Sequence, residues 1–296
     1  MMTADERLGV VVGVERAGPV TGVLAHLGHA ADVSDPRAEL TRQLAGDDPA
    51  VVAFTADEDG VTVVAEVAGP RRDRAPTAPG PIAVGYYASD EGVVAASTAR
   101  SDPGPTATVG RGEGAVHEAA IDLDDVTVVL QRSARRLPSR LDHGAARGSG
   151  VHVVVWAVPD VEAVLEDWRA LGLRVHVHAR TDLPDVGRML GLVEPQEVEF
   201  AILGIPGVPG ARLELVGFPE AEAWALDVTG GWRDGSLHPG DVRLLVSSSR
   251  PPVDGLDVVR HVVHGDARAW LLAGPGGVAV EWHQTMRTSD GDGSGS

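Results

Sequence analysis

Residues 150–179, GVHVVVWAVPDVEAVLEDWRALGLRVHVHA, decide the fold because they contain the signals for a strand, a helix and a second strand. Asp160 follows Pro159 as a helix N-cap, and Gly172 supplies a C-terminal stop. Between them, apolar residues recur at helical spacing: Val161, Val164, Leu165, Trp168 and Leu171. The segment therefore predicts a helix over 160–171 between strands over 151–158 and 173–179.

A hairpin pattern occurs four times along the chain, at 50–67, 115–132, 197–216 and 266–283. Each copy has two arms of alternating apolar residues joined by Gly- or Asp-rich turns, which is typical of a β-hairpin. An apolar strand precedes each copy, at 8–14, 81–87, 151–158 and 241–248. The repeat predicts an α+β protein of four βαβββ modules, in which the helix of the fourth module is short or missing.

The composition excludes several classes of function. A formal net charge of −18 repels a phosphate backbone, which argues against nucleic acid as a partner. The apolar runs are much shorter than the roughly 20 residues that cross a bilayer, so we expect no membrane partner. The chain has no Cys, and every basic residue is Arg, which excludes thiolate metal sites, Cys nucleophiles and Schiff-base lysines. Without a recognisable secretory signal, a cytoplasmic location is expected.

Two segments interrupt the apolar periodicity and predict the domain boundaries. Residues 132–149 are rich in Arg and Gly and are predicted to link two domains, 8–131 and 150–286. Residues 287–296 contain nothing that could pack and are predicted to form a disordered tail.

Three segments in the expected order resemble the vicinal oxygen chelate superfamily: HVVVWAVPDVEAVLEDWRALGLRV (152–175), RLELV (212–216) and GPGGVAVEW (274–282). This superfamily includes glyoxalase I, methylmalonyl-CoA epimerase, extradiol dioxygenases and bleomycin-type resistance proteins. The resemblance implies that the four modules pair into two cupped, mixed-sheet, glyoxalase-like domains.

The resemblance also implies a divalent metal ion, Fe, Mn, Co, Ni or Zn, held by side chains on the first and last strands of a module. The matching positions are His152, Glu214 and Glu281. The fourth position departs from the pattern, and either Asp241 or its substitute His238 could fill it. Glu214 and Glu281 are also the expected catalytic residues, because a loosely bound carboxylate can act as a general base.

Aligning the last strands of the four modules places Val64, Val129, Glu214 and Glu281 in one column. Only the last two modules carry an acid there, so a metal site is expected in 150–286 alone, with 8–131 as a degenerate copy. Glu66 and Gln131 lie two residues further along and on the same face, and a shift of register would bring them into the site.

The expected function is that of a metal-dependent enzyme acting on a small oxygenated substrate, most simply an isomerase or lyase working through a metal-stabilised enolate. Two alternatives stay open. A metal-free binding protein would need an apolar groove, whereas an extradiol-type dioxygenase would need two His and one carboxylate as metal ligands. The oligomeric state also stays open, with a homodimer as one option.

Several further residues have both a functional and an ordinary interpretation. His176 and His178 could bind a metal as a pair, or lie on a solvated strand face. An anionic substrate would need an Arg clamp, and the nearest candidates are Arg180, Arg188 and Arg243. Solvated surface is the preferred interpretation of each, so none is assigned to a clamp. Residues 181–196 are expected to form a mobile loop with a short helix, which could close over a ligand or serve as an ordinary surface connection.

Overall fold

The computed structural model describes residues 1–2, 6–46, 49–55, 60–69, 78–89, 104–109, 115–133, 148–190, 192, 196–208, 211–219 and 236–285. Most of the predicted linker and the whole predicted tail lie outside these residues. Strand formation nevertheless continues to Ser133 on one side of the linker and resumes at Gly148 on the other. Residues 132–133 and 148–149 of the predicted linker thus belong to strands.

The strands form two mixed sheets of eight strands each. Sheet 1 contains β1 (Arg7–Val14), β2 (Ala30–Asp32), β3 (Ala50–Thr55), β4 (Val61–Glu66), β13 (Val242–Ser248), β14 (Asp257–His264), β15 (Ala267–Ala273) and β16 (Ala279–Gln284). Its order is β14-β15-β16-β13-β1-β4-β3-β2.

Sheet 2 contains β5 (Gly80–Ala88), β6 (Thr106–Val109), β7 (Val116–Asp122), β8 (Thr127–Ser133), β9 (Gly148–Ala157), β10 (Arg174–Thr181), β11 (Val198–Gly204) and β12 (Arg212–Gly217). Its order is β10-β11-β12-β9-β5-β8-β7-β6. All four predicted hairpins and all four predicted first strands are present, so the predicted α+β fold of two cupped mixed sheets is confirmed.

The modules pair differently from the two predicted halves. Strand β1 of the first module lies antiparallel to β13 of the fourth, whereas β5 of the second module lies antiparallel to β9 of the third. The segments 8–131 and 150–286 therefore each contribute to both sheets. The repeat could not predict this, because every module presents the same kind of open first-strand edge, and the choice of partner depends on packing between modules.

Four α-helices connect strands of the described chain: α1 (Ala17–His26), α2 (Pro36–Ala45), α3 (Val161–Ala170) and α4 (Pro184–Met189). The helix predicted over 160–171 is α3, and the Asp160 carboxylate accepts a hydrogen bond of 3.0 Å from the backbone N–H of Ala163. In the fourth module, the described residues 249–256 contain no helix, as predicted. No described helix is long and apolar enough to span a membrane.

The largest apolar cluster packs one face of each sheet against the other, with α1 and α3 at its sides. Val10 and Leu244 contribute from sheet 1, and Val154 and Leu213 contribute from sheet 2. All four side chains are buried, so this interface holds most of the stabilising apolar surface.

The opposite faces of the two sheets are covered differently. Helix α2 lies over sheet 1, where Ala38 and Ala45 pack in one cluster with Val63 and Leu245. Sheet 2 has no comparable long helix on that face in the described chain, and the short helix α4 borders a cavity there instead. Among the described residues, therefore, sheet 2 and not sheet 1 leaves room for a ligand on its cupped face.

Candidate active site in the second sheet

A cavity of about 300 Å³ lies on the cupped face of sheet 2. Its walls are mainly apolar and come from the strands and from α4, with Val153, Val155, Phe200 and Met189 among them. Six side chains with polar atoms also line it: Tyr87, Glu118, Gln131, His152, Thr181 and Glu214. An apolar pocket with a few polar groups is the usual form of a small-molecule site.

A larger groove of about 740 Å³ lies between α3 and residues 274–277, on the outside of the molecule. Its titratable side chains are all aspartates: Asp160, Asp167, Asp254 and Asp257. Since it is open to solvent and brings together no pair of chemically distinct groups, we place the candidate site in the smaller cavity of sheet 2.

Two carboxyl groups of the described chain share this cavity. Glu214 lies on β12 opposite Val155 of β9, and Glu118 lies on β7. Burial, and secondarily the charge of Glu118, raises the pKa of Glu214 to about 8. Burial also raises the pKa of Glu118, although a hydrogen bond from Gln131 Nε2 to Glu118 Oε1 (2.5 Å) acts in the opposite direction. Glu214 is therefore a carboxyl group that gains and loses a proton near neutral pH.

His152 enters the cavity because of an irregularity in the β5–β9 ladder. Val151 pairs with Tyr86 and Val153 pairs with Gly85, which leaves His152 as an extra residue at the shift of register. Its ring stacks on Tyr87 with centroids 3.9 Å apart, and Arg212 Nη1 lies 3.3 Å from its Nδ1. Burial, and then the Arg212 charge, lowers the pKa of His152 well below its ordinary value, so the imidazole is neutral.

The raised pKa of Glu214 predicts a pH-dependent stability. The folded protein disfavours the charged carboxylate, so this group's contribution to stability is fully present below pH 4.5 and is lost as the pH rises through about 8. Between low and high pH, we expect the free energy of unfolding of Glu214→Gln to fall by about 2 kcal/mol less than that of the wild-type protein. This difference is smaller than the full linkage value because the carboxyl is half-buried. Urea denaturation of both proteins at pH 5 and pH 9 measures the difference, and parallel pH dependences of the two proteins would contradict the burial of Glu214.

Solved structures with a similar fold are found at low sequence identity. Glyoxalase I from Zea mays aligns with a TM-score of 0.57 at 14% identity, over 94% of this chain and 92% of that chain. A protein from Bacillus subtilis subsp. subtilis strain 168, assigned but not established as a dioxygenase, aligns with a TM-score of 0.58 at 12% identity, over 96% and 86%. The chain has the vicinal oxygen chelate fold.

This similarity is one of structure alone. The sequence matches no protein-family model and shows no significant similarity to a curated protein. The vicinal oxygen chelate fold predicted from three short segments is therefore confirmed, whereas the chemistry has to be argued from the side chains of this chain.

The vicinal oxygen chelate resemblance implied one site containing His152, Glu214, Asp241 and Glu281, but the structure does not bring these four together. His152 and Glu214 line the cavity of sheet 2, whereas Glu281 lies on β16 of sheet 1 and Asp241 directly precedes β13. The cause is the module pairing, because the third and fourth modules belong to different sheets.

Glu281 is fully buried and fully engaged. Arg243 Nη1 donates to its Oε2 (3.1 Å), and Thr41 Oγ1 (2.5 Å) and His283 Nε2 (2.9 Å) donate to its Oε1. Burial alone would raise its pKa, but the His283, Arg243 and Thr41 contacts together lower it below the ordinary value. Because Thr41 comes from α2, the helix that covers sheet 1 also closes this position.

Asp241 and His238 form a turn and do not reach Glu281. The backbone N–H of His238 donates to Asp241 Oδ2 (2.9 Å), and that of Asp241 donates to the His238 carbonyl (3.0 Å). Glu281 pairs with Leu245, four residues beyond Asp241, which corresponds to about 13 Å along the strand. Asp241 and His238, the two alternatives for the fourth ligand, therefore stabilise the turn that precedes β13.

Among the described residues, one group of three offers acid and imidazole atoms within 4.8 Å of one another: Glu162, His178 and Glu199. It lies on the outside of sheet 2, where His178 Nε2 is 2.8 Å from Glu199 Oε1 and Nδ1 is 3.7 Å from Glu162 Oε2. The two carboxylates thus lie on opposite nitrogens of one ring, and Arg180 also pairs with Glu199. His176 is exposed on the same strand face.

None of the three arginines considered as an anion clamp lines the cavity. Arg180 pairs with Glu197 and Glu199, Arg188 pairs with Asp185, and Arg243 pairs with Glu281. Part of the predicted loop at 181–196 does border the cavity, since α4 contributes Val186 and Met189. The short helix expected there is thus confirmed.

Sequence reasoning missed Glu118, Tyr87 and Arg212 as members of the site. Glu118 is one acid among alternating residues of a hairpin strand, and nothing local shows that its face is the inner one. Gln131 was the exception, because its place two residues beyond the aligned column put it on the same face. Its counterpart Glu66 is exposed and accepts a hydrogen bond from the Ala17 backbone (2.9 Å).

Proposed function

We propose that the protein is a proton-transfer enzyme of the isomerase type, which acts on a small, uncharged carbonyl compound in the cavity of sheet 2. The observation that supports this is Glu214, a carboxyl group with a pKa of about 8 in an apolar cavity. A general acid or base is most effective when its pKa lies near the working pH, because both protonation states are then available.

In this proposal the carboxylate of Glu214 removes a proton from the carbon beside the carbonyl, the C–H electron pair passes into an enolate, and the resulting carboxylic acid returns the proton to that carbon. Burial, and secondarily the charge of Glu118 that Gln131 holds in place, keeps the pKa of Glu214 high. The apolar walls limit the access of water to the enolate formed in between. Glu281 has no part in the reaction, since Arg243 holds it in the other sheet.

The lining of the cavity also limits the substrate. No Arg is among the described residues that line it, so no cationic side chain there would compensate the charge of an anionic substrate. A volume of about 300 Å³ lies at the small end of the range for ligand pockets. The substrate is therefore small, largely apolar and uncharged.

The cavity of sheet 2 does not fit the divalent metal that the resemblance implied. Two of the four expected ligands lie in sheet 1, and within the described chain the cavity's His152, Glu118 and Glu214 do not bring their ligand atoms within 4.8 Å of one another. The dioxygenase alternative needs two imidazole ligands, and His152 is the only His among the described lining residues. The proposed reaction therefore uses no metal step. The second candidate, a metal-free binding protein, is favoured by the same apolar walls and differs only in lacking proton transfer.

Hydrogen–deuterium exchange distinguishes the enzyme from the binder. The protein is incubated in D₂O with hydroxyacetone, cyclohexanone or phenylacetone from pH 5.5 to 9.5, and loss of the α-proton signal is followed by NMR. We expect exchange of at least one ketone, with a rate that rises through a midpoint near pH 8. Glu199→Gln, on the outside of the sheet, is the matched control and should exchange at the full rate.

Two results would contradict the proposed enzymatic function. Saturable shifts of the Val153 and Val155 methyl signals without exchange of the bound ketone would show a binding protein. Absence of both binding and exchange for all three ketones would reject the cavity as a site for uncharged carbonyl compounds.

A further inference from the structure

Arg212 and Tyr87 hold the His152 ring from two sides. Tyr87 stacks on it at an interplanar angle of 30°, and Arg212 Nη1 donates to Nδ1 at 3.3 Å. His152 is 4% exposed and Arg212 is 2% exposed, so the contact is shielded from water. The ring therefore has one fixed orientation at the wall of the cavity.

This contact determines which nitrogen carries the proton. A guanidinium group has only donors, so Nδ1 must accept with its lone pair. In the neutral ring the single proton then lies on Nε2. Within the described part of the chain, Nε2 has no hydrogen-bond partner and is not sealed from solvent. Because the ring lines the cavity, the Nε2–H group is available to a ligand there.

The same contact prevents His152 from acting as a metal ligand. A metal-bound imidazole supplies an unprotonated nitrogen, and here the only one already accepts from Arg212. A divalent cation at Nδ1 would also lie against the guanidinium charge. His152, which the resemblance implied as a metal ligand, therefore already uses its unprotonated nitrogen in the hydrogen bond from Arg212.

We infer that His152 is a catalytic hydrogen-bond donor, whose neutral Nε2–H binds the carbonyl oxygen of the substrate, and that Arg212 is the positioning residue that fixes this tautomer. The inference rests on the proposed function. When Glu214 takes the α-proton, the C–H electron pair forms the carbon–carbon double bond, and the carbonyl π electrons move to oxygen. His152 keeps its proton and stabilises that oxygen, and Glu214 returns the proton to carbon.

The tautomer can be measured without any substrate. In protein labelled with ¹⁵N at the histidine ring, we expect the His152 signals to show a proton on Nε2 and none on Nδ1 from pH 5.5 to 9. Addition of Zn²⁺ alone should leave them unchanged. A proton on Nδ1, or Zn²⁺-dependent shifts of the His152 nitrogens in the wild-type protein, would overturn the inference.

Variants then separate positioning from structure. Arg212→Met removes the donor at similar side-chain length, and we expect it to give a mixture of the two His152 tautomers. Arg188→Met, on an exposed ion pair, is the matched control and should leave the ring signals unchanged. If Arg212→Met does not fold, the wild-type ring signals still decide the tautomer.

The role toward substrate needs its own measurement. Hydroxyacetone should shift the Nε2–H signal of wild-type protein, and His152→Phe should lower ketone exchange about 100- to 1,000-fold without moving the pH midpoint. If the wild-type protein carries the proton on Nε2 but does not exchange the ketones, the proposed function is rejected and the inferred tautomer stands. Normal exchange in His152→Phe would reject the donor role while leaving the proposed function in place.

Discussion

Replacing Glu214 with glutamine is expected to lower α-proton exchange about 100- to 10,000-fold, the range that a positioned general base contributes. Glutamine has nearly the same shape and can still form hydrogen bonds, but it cannot accept a proton in this pH range. The walls formed by Val153, Val155 and Met189 are untouched, so ketone binding should change little. The measurement is the exchange rate by NMR beside a binding titration of the same ketone.

Glu118→Gln supplies the control for this result. It removes the neighbouring charge that helps to raise the Glu214 pKa, so the exchange midpoint should move to lower pH while exchange itself persists. If Glu214→Gln exchanges ketones at the wild-type rate, another group is the base, and the proposed reaction is wrong.

Replacing Arg243 with methionine is expected to lower the free energy of unfolding by about 3–5 kcal/mol, the usual cost of leaving a buried charge without its partner. Arg243 and Glu281 are both fully buried, and their atoms lie 3.1 Å apart. Methionine fills most of the volume but leaves the carboxylate with only Thr41 and His283. Urea denaturation at pH 7 measures the change, which is a large part of a typical domain's stability.

The double variant Arg243→Met with Glu281→Met tests the cause. Removing both charges leaves no unpaired ion, so we expect it to recover at least half of the loss. Equal destabilisation of the single and double variants would indicate lost packing instead of an unpaired carboxylate. A loss below 1 kcal/mol in the single variant would contradict the buried pair itself.

Local features of the sequence predicted the elements of this fold well. The Asp160 cap, the apolar spacing to Leu171 and the Gly172 stop define α3 within one residue at each end. The hairpins follow from alternation on both arms and turn residues between them, as in β11 and β12. These signals act between residues close in the chain, so they can be read without knowing the partner surfaces.

The candidate site depended on contacts that local signals do not contain. Glu214 and Glu281 occupy equivalent places in their modules, yet one faces a cavity and the other is closed in by Thr41 of α2. His152 was identified as a site residue, but Arg212, sixty residues away, decides which of its nitrogens carries the proton. A repeat alignment can assign positions but not the helix or cation that packs on them.

The sequence alone determined that four strand-rich modules form and which residues alternate into their faces, because cap, turn and period-two signals act within a few residues. Only the tertiary structure decided that the first module joins the fourth and the second joins the third. That choice depends on long-range burial between equivalent edges. The same choice places α2 over the face of sheet 1 and leaves the cupped face of sheet 2 with a cavity that Glu214 lines.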